Sequence, residues 1–153
     1  MRRVFSLPFL FLFCASAQAV ISVDDTTVAR VAGNPADNVN ITTSSFTPPA
    51  NSLLLVFIGA DSSADIDVAV TDSQGLTWTM IATADPGTGA GLGYSSAWYA
   101  KTVASTAMTV SVRRTTTNGA TNNISFKVYI VNGHDTTQPI GASGSGTSTT
   151  NNY

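Results

Sequence analysis

The sequence predicts an all-β domain, an antiparallel two-sheet β-sandwich of the jelly-roll kind, and three observations carry that expectation. Apolar and polar residues alternate with a period of two over residues 66–71, 76–80, 108–113 and 124–130, the period at which successive side chains of a strand change face. All nine acidic residues are Asp, and the absence of Glu removes the acid that helices favour. Clusters of Asp, Ser, Asn, Gly and Pro separate the short apolar runs, as turns do. The 153 residues suffice for one domain with a real core.

Residues 1–19, MRRVFSLPFLFLFCASAQA, have the three parts of a secretory signal: Arg2 and Arg3, an apolar stretch over 4–14, and the small-residue site Ala17-Gln18-Ala19. Cleavage there leaves Val20 first, and the product is expected to be secreted or held at the cell surface. The apolar stretch is shorter than the ~20 residues of a spanning helix and Pro8 interrupts it, so no membrane partner is expected after cleavage. Phe13 is too large for lipoprotein processing at Cys14. Since Cys14 is the only cysteine, the mature chain has no disulfide and depends on burial. Loss of Arg2 and Arg3 leaves five Lys and Arg against nine Asp and takes the net charge from −2 to −4. That balance argues against nucleic acid as a partner, and Arg113-Arg114 is too small a basic patch to reverse it.

The sandwich is expected over residues 20–140. Residues 26–31 and 39–46 are two weak strands around the loop 33–37. The run SLLLVFIGA at 52–60 is the buried central strand: Pro48 and Pro49 stop pairing before it, and the Asp and Ser cluster at 61–65 turns the chain after it. Residues 66–71 and 76–80 read as a hairpin about the turn Asp72-Ser-Gln-Gly75. Residues 85–93, DPGTGAGLG, are too rich in glycine for regular structure and are the most flexible loop expected. Strands resume at 94–102, 108–113 and 124–130, with a polar loop over 115–123, for about eight strands in all. The predicted core comprises Leu53, Leu55, Phe57, Trp78, Met80, Trp98, Val110, Val112, Phe126 and Val128. Residues 141–153 form a Gly, Ser and Thr-rich tail or the start of further strands, so the chain is expected to be a fragment or part of a longer protein, with an unpaired sheet edge available for self-association.

No residue pattern marks a reaction, and no enzyme activity is expected. A Ser-His-Asp hydrolase needs a base touching both a nucleophile and an orienting acid. His134 is the only histidine, and Asp135 beside it diverges from it. A glycosidase needs two facing carboxylates, but the aspartates fall in expected turns. Calcium is the one cofactor the residues admit, because Asp61, Asp65, Asp67 and Asp72 cluster around one hairpin; solvated turn aspartates are the simpler reading, since that ion takes six to eight oxygens. Asn40-Ile-Thr42 and Asn123-Ile-Ser125 match the N-glycosylation triplet, as chance allows in a chain so rich in Asn, Thr and Ser. For a ligand, Tyr94 and Tyr99 beside the glycine loop offer aromatic faces, and the tryptophans by parity pack between the sheets. A polysaccharide or cell-surface glycan is the expected partner, since an acidic surface rich in Thr and Asn offers many neutral hydrogen-bonding groups and little for polyanions.

The stretches SFTPPANSLLLVFIGADSS, VTDSQGLTWTMIATAD, SAWYAKT and VYIVNGHDTTQPIGASGSG together resemble a recurring jelly-roll-type β-sandwich of bacterial secreted and surface proteins and of tailed-phage structural proteins. The resemblance covers residues 46–146 and carries no catalytic residues. It implies a non-catalytic extracellular module for structure, adhesion or glycan contact; the alternatives are a virion surface domain and an accessory module of a larger secreted enzyme.

Overall fold

Alternation at period two builds nine strands among the described residues of the computed structural model, which are 20–62, 66–84, 92–116 and 123–146. They are β1 (Ser22–Asp24), β2 (Val31–Gly33), β3 (Ile41–Thr42), β4 (Leu53–Ser62), β5 (Val68–Asp72), β6 (Thr79–Ala84), β7 (Leu92–Lys101), β8 (Val110–Arg114) and β9 (Ile124–Asn132). The expected signal at 1–19, most of the glycine loop at 85–91 and the last residues of the tail, 147–153, lie outside the described residues.

All pairings are antiparallel and fall into two sheets that do not close into a barrel. The larger runs β1-β9-β4-β7-β6, with β2 also pairing β9; the smaller runs β3-β8-β5. The strands β1 and β2 lie end to end along β9, one matching Val131 and the other Ser125. Between the sheets the core is made of Leu54, Val56 and Ile58 of β4, Phe126, Val128 and Ile130 of β9, and Val68, Val70, Val110 and Val112 of the smaller sheet. The long strands are fastened at one end by a buried polar clasp. The Ser52 amide donates to Thr102 Oγ1 (2.8 Å), the Thr102 amide to the Ser52 carbonyl (2.9 Å), and the Ser52 hydroxyl lies 2.6 Å from Asn132 Oδ1. These bonds satisfy groups that would otherwise be costly to bury.

Three sequence expectations are corrected. The hairpin about residues 72–75 does not form: β5 pairs with β8 while β6 pairs with β7, so the turn carries the chain from one sheet to the other. The Asp72 carboxylate directs that crossing by accepting from the Gln74 amide (2.6 Å), the Leu76 amide (3.0 Å) and Trp78 Nε1 (2.8 Å). The weak strand at 26–31 is instead two short strands separated by a bend, because Asp24 Oδ1 accepts the amides of Thr26 and Thr27. The central strand has the opposite facing from the one expected: Leu54, Val56 and Ile58 point into the sandwich, and Phe57 is 50% exposed. Leu53 is buried but lies outside the central cluster, and Leu55 is half-buried on the outer side.

The tryptophans lie partly buried against the core, as parity requires. Met80, on the same face as Trp98 by register, is 45% exposed. Its strand is outermost in the larger sheet, an irregularity follows directly at Met80/Ala82, and the three-stranded sheet is too narrow to cover it.

Candidate functional site

The register of the larger sheet fixes which residues share its outer face. One row across the strands reads Thr79, Tyr99, Leu55, Tyr129; the next reads Ala82, Ala97, Phe57, Lys127. Neighbouring strands are about 4.8 Å apart, so Tyr99 and Tyr129 flank Leu55 across about 10 Å. The Phe57 and Tyr129 rings meet edge to face with centroids 5.6 Å apart, and Lys127 Nζ stands 5.3 Å from the Tyr129 ring centroid. An aromatic face is thereby held rigidly on the strands of the sandwich.

The segment after β9 returns over this side of the sheet. Lys101 Nζ donates to the Thr136 carbonyl (3.2 Å) and the Ser143 hydroxyl to the Ile81 carbonyl (3.2 Å). Between this segment and the sheet lies a groove of about 310 Å³ lined by Phe57, Ala82, Ala97, Ser95, Gly144 and Ser145. The return begins at Gly133, whose φ of 73° is the left-handed conformation glycine tolerates; a Cβ there would collide with the Val20 carbonyl.

Of the two tyrosines picked out in the sequence, the structure places one on this face. Tyr99 is half-buried in the first row. Tyr94 is 7% exposed and part of the core, so its ring does not meet surface ligands. Parity carries the reason: five residues apart on one strand, the two rings must point to opposite faces. The same rule was available to find Tyr129, which alternates with Phe126 and Val128. Phe57 was hidden, because both faces of its strand are apolar in sequence.

The aspartates proposed for calcium do not come together as far as they are described. Asp67 and Asp72 bracket β5, about 16 Å apart along an extended strand, too far to share an ion. The Asp72 oxygens are already engaged in the crossing turn. Asp65 and the Asp61 side chain lie outside the described residues. Among the described residues, no three His, Cys, Asp or Glu side chains group as a metal site requires.

The acid beside the lone histidine is also committed elsewhere. Asp135 Oδ1 accepts from the Thr137 amide (2.7 Å), the Thr137 hydroxyl (2.6 Å) and the Gln138 amide (3.1 Å). The hydroxyl and the two amides hold its pKa down to about 2. Asp24 is held below the usual carboxylate range in the same way, first by the Thr27 hydroxyl and then by the Thr27 and Thr26 amides. Arg114, read from sequence as half of a surface basic patch, is 1% exposed and ion-paired with Asp37.

Comparison of the chain with protein-family models, curated proteins and solved structures finds no match. The outer aromatic face therefore has to be read from its own chemistry. It offers ring faces and edges and, beside the returning segment, a groove lined by Phe57, Ala82, Ala97 and Ser95.

Proposed function

We propose that the chain is a non-catalytic module of an exported protein that docks a glycan on the outer face of its larger sheet. The observation that carries this reading is Phe57: a large aromatic side chain in the middle of a strand, half exposed, packed edge-on against Tyr129 and bordered by a groove. A sheet face that has no need to be apolar is normally polar, and a contiguous apolar patch with a polar rim marks an interaction surface. Sugar rings suit such a surface, since their C–H faces lie on aromatic rings while hydroxyls reach the rim groups, here Thr79, Ser95 and Ser145. The secretory start of the sequence and its resemblance to secreted and surface sandwiches support the same reading. Against catalysis stand the described turn aspartates, Asp24, Asp72 and Asp135, whose oxygens are spent on nearby N–H and O–H groups.

The test is a glycan array followed by titration calorimetry on the best binder. Phe57→Ala and Tyr129→Ala should each weaken binding about tenfold, equivalent to about 1.4 kcal/mol. Tyr94→Phe should leave it unchanged. An array without binders, or affinity indifferent to both truncations, rejects the reading.

A further inference from the structure

We infer that the ligand of this face is an acidic polysaccharide, one bearing anionic groups along an extended sugar chain. The inference rests on the glycan reading and narrows it. The chain has two lysines, Lys101 and Lys127, and the register places both on the outer face: Lys101 stands opposite Leu53 and Lys127 opposite Phe57. Lys101 is exposed and Lys127 half-buried. Their Cα atoms are four residues apart along the strands and two strands apart across them, about 16 Å in all. A third cation, Arg30, stands in the row of Lys127, one strand further out, since it directly precedes Val31, which pairs with Phe126. Arg30 is exposed and lines a groove of about 600 Å³ with Ala32, Gly59 and Ser125, which form the next row of the face.

This distribution runs against the composition. The protein is acidic, yet over the rows of Leu53, Leu55 and Phe57 the paired strands carry two lysines and no acid, and Asp61, opposite Gly93, comes two rows beyond Phe57 at the far end of β4. The other two described cations do not compete, because Arg114 is buried with Asp37 and Arg113 belongs to the smaller sheet. Asp135, in the returning segment, is folded onto the amides of Thr137 and Gln138. Lys127 is held over the Tyr129 ring beside exposed Phe57, so one ligand unit can set its carboxylate on the ammonium and its C–H face on the phenyl ring. Two lysines about 16 Å apart on a diagonal, with apolar surface between them and Arg30 beside the second, fit a repeating anionic chain better than a single anion.

Polygalacturonate and its fully methyl-esterified form share one backbone and differ in charge, so they separate the charge term from sugar stacking. Titrating the full mature chain at low salt should show the acid form binding at least tenfold more tightly, and the difference should vanish near ~1 M salt, where the screening length is about 3 Å. Lys127→Gln and Lys101→Gln should each weaken binding of the acid form several-fold more than binding of the ester, with circular dichroism confirming the fold. Equal affinity for acid and ester, or no effect of either lysine substitution, overturns the inference while the glycan reading stands. Glycan-array binders confined to neutral sugars also overturn it. Failure of every glycan on the array removes both.

Discussion

At the scale of single residues, this chain uses its charges as clips. Asp37 and Arg114 pin the loop before β3 to the end of β8, and the Asn38 amide adds a bond to the Arg114 carbonyl (3.0 Å). Burial alone lowers the Arg114 pKa, and a guanidinium stays charged even so. Its partner is therefore needed: Asp37→Ala strands a buried charge and should cost about 3 kcal/mol, read as a fall in thermal midpoint. An unchanged midpoint would show that the pair is dispensable. Asp24 and Asp135 act differently, as acceptors for their own turns. Their folded pKa values are depressed, so the stability they contribute is complete above the unfolded value of 3.8 and is lost as pH falls through the folded value, about 2 for Asp135. Melting curves between pH 5 and pH 2 should therefore slope downward toward acid, and Asp24→Asn/Asp135→Asn should flatten that slope. A slope identical in the double variant would mean that other carboxylates drive acid unfolding.

At the scale of elements, β4 decides the molecule. It pairs with β7 over its whole length and with β9 over most of it, and its two faces serve different ends. Leu54 is fully buried between the sheets, whereas Phe57 lies on the outer face. Leu54→Ala should cost about 2–5 kcal/mol. Phe57→Ala should cost about 1 kcal/mol, the scale of a surface aromatic pair, although the side chain removed is larger. Chemical denaturation of the two variants orders them directly. A greater loss at Phe57 than at Leu54 would contradict the facing of β4 and, with it, the aromatic surface.

At the largest scale the described residues form a lopsided sandwich, six strands against three. Among the described residues β5 pairs with β8 alone and β6 with β7 alone. Both free edges lie on the same side, since the residues of β5 share a groove of about 370 Å³ with Trp78 and Trp98. Free edges invite a further strand. We expect concentration-dependent association through this side, visible by sedimentation velocity and reduced by Ala69→Lys, which places a charge on the edge strand. A monomer at all concentrations would show that the edge irregularity at Met80/Ala82 and the flanking Asp67 and Asp72 already block pairing.

What the sequence determined by itself is the local grammar. The lack of Glu, the alternation in β8 and β9 and the Asp-led turns are properties of neighbouring residues, and they suffice for an all-β chain, for the inward faces of Val110, Val112, Phe126 and Val128, and for Tyr99 on an outer face. Tyr94 was legible in the same way, by counting five residues back from Tyr99. The facing of β4 was not legible, because SLLLVFIGA is apolar at both parities and alternation carries no information there. Its neighbours decide it: pairing sets Val56 beside Val128 and Trp98, both already turned inward, and Phe57 is left outside with Tyr129 and Lys127. The assignment of the two halves of residues 66–80 to different sheets likewise depends on distant partners, β8 for one and β7 for the other. A period of two tells a strand which way its side chains alternate; only the strand hydrogen-bonded beside it tells which alternate is the inside.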